Sequence, residues 1–94
     1  MPRYPIAHLK EQGQNMIIIP LDSTFGHKAE SDQNTLVAEL QAHATAAGLA
    51  GILVPVWDAG GGRMAFRAPQ AWHPFFRSIG LPHVLASLNK EIYW

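Results

Sequence analysis

The chain has 94 residues, 48% of them hydrophobic, with three Trp, four Phe, two Tyr and no cysteine. That is the length of one domain, 1–94, with enough apolar surface to offset the ordering entropy of a chain this size, and it excludes disulfides and thiolate chemistry. Seven Lys and Arg balance seven Asp and Glu for a net charge of zero; the cations are scattered, which argues against a nucleic-acid partner, because that affinity rests on Lys and Arg neutralising phosphates.

Taken in chain order, Ile6 to Lys10 reads as a short strand, and Glu11 to Asn15 as a polar, Gly-containing hairpin connection. Met16-Ile17-Ile18-Ile19-Pro20-Leu21 is an unbroken apolar run rich in β-branched residues, the pattern of a strand covered on both faces. A loop runs from Asp22 to Glu30, and Ser31 or Asp32 is placed to cap a helix over Gln33 to Ala47. Its apolar stripe is Leu36, Leu40, His43 and Ala47, with Val37 and Ala44 beside it, and Gly48 supplies the stop, with Leu49 packing back.

Gly51 to Trp57 repeats the character of the first run, down to a proline, Pro55, matching Pro20. Strand, helix and strand with a short return predict a right-handed parallel crossover. Neither proline can donate to a ladder, so both belong near strand ends, at a bulge or on an edge. Gly60-Gly61-Gly62 turns the chain into an antiparallel strand, Arg63 to Arg67. Short helices then start near Pro74 and Pro82; the second should bury Leu81, Val84, Leu85 and Leu88, and Glu91 to Trp94 adds a last strand or an aromatic plug. The fold expected is α+β, or a small α/β: one β-α-β crossover, flanking antiparallel hairpin strands, short C-terminal helices, and a single layer of helices on a mixed sheet.

Two features carry chemistry. If the parallel strands end side by side, Asp22 and His27 meet Asp58 at their carboxyl edge, where α/β sheets bind ligands. Two carboxylates and a histidine suit acid-base or metal-assisted catalysis, although Asp and Ser after a strand are also ordinary turn formers. The second feature is an excess of large rings in the second half of the chain. Trp57, Trp72, Phe75, Phe76 and Trp94 offer apolar recognition, with Arg63 and Arg67 on one face of a strand for polar orientation; the competing reading is that the rings compose the core.

Other motifs are weak. The segment after Gly62 reads as a strand, so the triple glycine lacks the helix that a phosphate loop needs. His8, His27, His43, His73 and His83 form no pair at metal-ligand spacing, no serine sits in a nucleophile elbow, and no particular cofactor is specified. No apolar run approaches the roughly 20 residues of a membrane helix, so the expectation is a cytoplasmic, soluble domain of bacterial type. The function expected is binding: a homo-oligomeric domain recognising an apolar or aromatic ligand or a protein surface, with a small enzyme using Asp22, His27 and Asp58 as the alternative.

Overall fold

Met16, Ile17, Ile18 and Ile19 are all buried, and successive strand residues point to opposite faces, so the strand that holds them must be covered on both sides. In the computed structural model of the chain, which describes residues 3–11, 13–60, 63–68 and 70–93, they lie in β2 (Gln14–Leu21). Its neighbours are β1 (Arg3–Glu11) and β3 (Ile52–Gly60), while β4 (Arg63–Phe66) and β5 (Lys90–Tyr93) form the edges of a five-stranded sheet ordered β4-β3-β2-β1-β5. β2 and β3 pair in parallel across α1 (Glu30–Ala46), and the other pairings are antiparallel. The α+β class and the β-α-β crossover are therefore present as read from the sequence.

The helices, however, do not form a single layer. Ile17, Ile19 and Leu53 pack with Leu40 and Ala44 of α1 on one face. On the other face Met16, Ile18, Val54 and Val56 pack with Phe76 of α2 (His73–Ser78) and Val84 of α3 (Leu81–Ala86). The reason lies in β2 itself: a strand with no polar alternation leaves an apolar face exposed unless two layers cover it.

Helix α1 begins earlier than its sequence suggests. Ala29 is the N-cap residue and makes no side-chain cap, so Ser31 and Asp32 lie within the first turn. The entry is held instead by Gln33, whose Nε2 donates to the carbonyls of Phe25 (3.0 Å) and Lys28 (3.2 Å). The C-terminus is the one expected: Gly48 adopts φ +83°, Leu49 N donates to Ala44 O and Gly48 N to Thr45 O, both at 3.0 Å. These two bonds satisfy orphan carbonyls of the last turn in a Schellman arrangement. Leu49 packs on the α1-side core, whereas Ala47 is exposed and Leu85 of α3 is 50% exposed, against the burial predicted for both.

The prolines fit because of where their missing N–H groups fall. Leu53 N donates to Gln41 Oε1 (2.8 Å), Gln41 Nε2 to Gly51 O (3.2 Å), and Arg67 N to Pro55 O (3.1 Å). Residues 51, 53 and 55 thus direct their backbone groups away from β2, so Pro55 costs the parallel ladder nothing. By the same alternation Pro20 faces β1. On β1, Ile6 O accepts from Asn89 N and His8 N donates to Asn89 Oδ1, both toward the β5 side, so Pro5 faces β2. Continuing the β1–β2 register past Ala7–Ile18 sets Pro5 opposite Pro20. Neither has a proton to donate, and the pairing stops there.

Gly48→Ala should destabilise the chain by about 1–2 kcal/mol, the cost of a side chain in the left-handed region, since a Cβ at this position meets no atom within 4 Å. Urea unfolding measures it; an unchanged midpoint would show that the motif does not need a glycine.

Candidate functional site

Where β1 and β2 part, a cleft of about 500 Å³ opens beside the carboxyl end of β2. Its walls come from several elements: Pro5 and Pro20 from the strands, Phe25 from the 3-10 turn Ser23–His27, Leu36 from α1, and Leu81 and Leu85 from α3. Leu36 belongs to one core and Leu81 to the other, so the opening passes through the plane of the sheet between the two helix layers. Such a place, outside the carboxyl end of a parallel strand, is where α/β sheets tend to hold ligands.

The polar side chains that line this cleft are Arg3, Tyr4, Asp22, Thr24 and Lys28. Arg3 and Asp22 line the same cleft, yet the ion pair Arg3 makes is with Glu91, at 3.8 Å and with both side chains well exposed (72% and 45%). Such a pair holds the guanidinium only loosely. The Asp22 carboxylate makes no side-chain cap to the 3-10 turn after it; only its backbone carbonyl serves the turn, accepting from Phe25 N at 2.9 Å. Ordinary turn formation therefore does not occupy this carboxylate.

His27 and Asp58 line a different hollow, of about 360 Å³, with Ser23 and Trp57. The structure thus brings two of the three sequence candidates together and sets Asp22 in another cavity. Asp58 has a turn-forming role, its Oδ1 accepting Gly60 N at 2.8 Å. Trp57, half-buried, packs edge-on to the buried Phe25 with ring centroids 5.0 Å apart, and its indole lies against Gly26, where a Cβ would collide with it. Trp57 is thereby held against the 3-10 turn by Phe25 and Gly26 while it lines the smaller hollow.

The remaining candidates disperse. Trp72 and Phe75, both half-buried, line a third hollow of about 510 Å³ with Met16 and Pro74, at the far end of β2. Phe76 is not available for recognition: it is 1% exposed, packed on Phe66 (5.3 Å) and Phe75 (5.2 Å), because α2 needs a large ring to fill the second core. Arg67 is committed to structure, donating to Gln33 Oε1 (3.3 Å) and Asn34 Oδ1 (2.5 Å) and so tying the end of β4 to α1. Arg63 is exposed beside the β3–β4 turn, and Trp94 lies outside the described residues. Among the described residues no three His, Asp or Glu side chains gather as a metal site, and no helix is long and apolar enough to cross a membrane.

No family model, curated protein sequence or solved structure matches this chain. The geometry of the site alone therefore bears on its role. Asp22 is legible in the sequence as a site residue; Arg3, Lys28, Leu36 and Leu81 as its companions are not. The signal was present in the spacing of Pro5 and Pro20 about the hairpin turn, which sets the two prolines face to face.

Gly26→Ala should displace the Trp57 indole and shift its fluorescence emission in a Trp72→Phe, Trp94→Phe background, with Ser23→Ala as the silent control. Unaltered emission would show that Trp57 is not held against Gly26.

Proposed function

We propose that this chain is a small-molecule-binding domain whose ligand occupies the cleft at the carboxyl end of β2. The observation that supports it most is the cleft itself, opened by two facing prolines, walled mainly by apolar side chains and edged by a few polar ones. Its volume of about 500 Å³, like the 510 Å³ of the Trp72–Phe75 hollow, falls within the roughly 300–1,000 Å³ typical of small-ligand pockets, and the charged Arg3, Asp22 and Lys28 in its lining distinguish it.

The enzymatic alternative has less support, because Asp22 is apart from His27 and Asp58, and Asp58 is engaged by Gly60. Self-association also has less: the large apolar side chains that stand exposed among the described residues are Ile52 (49%) and Leu85 (50%). They sit at opposite ends of the parallel strands and form no common patch, and single exposed apolar residues are normal.

The test is a thermal-shift panel of apolar carboxylates, amines, amino acids, nucleotides and divalent metals, run on the native chain and on Leu85→Trp, which fills the cleft mouth. A ligand at 100 times its Kd adds about 2.7 kcal/mol to native-state stability. At least one class should raise Tm in the native chain and fail to do so in folded Leu85→Trp. A shift that survives Leu85→Trp would place the site elsewhere, and no shift from any class would overturn the reading.

A further inference from the structure

We infer that the ligand of this cleft is a free apolar α-amino acid held as its zwitterion, an inference that rests on the binding function just proposed. The charges are what single it out. The two lips of the gap carry opposite signs, for Arg3 at the start of β1 and Asp22 after the end of β2 line the same cleft. Yet they do not bridge each other, Arg3 reaching Glu91 instead at 3.8 Å. Lys28 adds a second cation on the side of the 3-10 turn. A simple anion would satisfy the cations and be repelled by Asp22, and a simple amine would do the reverse. A molecule carrying both charges on adjacent groups satisfies each lip.

The backbone adds acceptors on the same side. In a strand, the N–H and C=O of one residue share an edge, so the carbonyls of Pro5 and Pro20 face the gap with no N–H across it to meet them. An ammonium group has three protons to give, and Asp22 with these two carbonyls supplies three acceptors. The carboxylate then faces Arg3 and Lys28, and Thr24 adds a hydroxyl at the rim. Beyond the charged groups the walls include Leu21, Leu36, Leu81, Leu85 and the buried Phe25, with the amphipathic ring of Tyr4 among them, a lining that favours an aliphatic or aromatic side chain over a polar one. Phe25 and Lys28 are both fixed through their carbonyls by Gln33 Nε2, so this part of the lining is ordered before any ligand arrives.

The experiment tracks the methyl NMR signals of Leu36, Leu81 and Leu85 during titration with L-leucine, L-leucinamide and N-acetyl-L-leucine. The amide removes the carboxylate charge and the acetyl group removes the ammonium. Leucine should shift the three leucines, and each derivative should bind at least about ten-fold more weakly, the loss of one charge-assisted contact. Asp22→Asn should weaken leucine by a similar factor while improving N-acetyl-leucine, a reversal that a merely structural Asp22 would not give. If either derivative binds as tightly as leucine, the zwitterion is wrong and the cleft reading stands. If leucine leaves the methyl signals unmoved while another compound of the thermal-shift panel moves them, the amino-acid inference alone is overturned. If no compound moves them, both fall.

Discussion

Two prolines that face each other across neighbouring strands set the form of this molecule. β1 pairs with β2 from Glu11 back to Ala7, and with β5 from Ile6 back to Arg3. The change of partner coincides with Pro5 meeting Pro20, where a hydrogen-bonded pair would need two protons that neither residue has. With ordinary residues in those places the hairpin could zip on to Arg3 and Asp22 and close the sheet. Because it does not, leucines from helices on opposite faces of the sheet come to line one opening.

The mount of that opening is firm. Phe25 is buried and carries the 3-10 turn after Asp22; Trp57 packs edge-on against it, and Gln33 grips the turn through two carbonyls. Arg67 in turn holds Gln33 and Asn34 from β4. A chain of contacts therefore runs from the sheet edge through the start of α1 to the cleft rim, and order present before binding lowers the entropy that a ligand must offset.

Much of the architecture was legible in the residues. Two aliphatic runs about a helix stopped by Gly48 specify a parallel crossover, and Leu49 completes the stop as its position implies. The helix start was not legible, since a side chain three residues inside, Gln33, does the work that Ser31 or Asp32 was placed to do. The two helix layers were implied by the unbroken run of β2, but assigning α2 and α3 to the far face requires knowing that Phe76 and Val84 meet Ile18. Of the site, Asp22 was legible by its place after a parallel strand. Its separation from Asp58 was not: the strands pair as far as Leu21 and Trp57, and past that point each chain turns according to its own loop. Pro5 escaped notice because a proline ahead of the apolar Ile6 reads as a strand boundary, and with Pro5 outside the strand nothing marked the gap.

Gln41 has a consequence for how the chain behaves in company. Beyond the end of β4, the outer edge of β3 presents Ile52, Leu53 and Val54, a short β-branched-rich stretch of the kind that recruits a strand from another molecule. The Gln41 carboxamide gives one hydrogen bond to Gly51 and takes one from Leu53, the two bonds that an incoming peptide group would make. A side chain from the helix layer thus imitates a sixth strand one peptide long, and it occupies the backbone groups of Gly51 and Leu53 that such a strand would pair with.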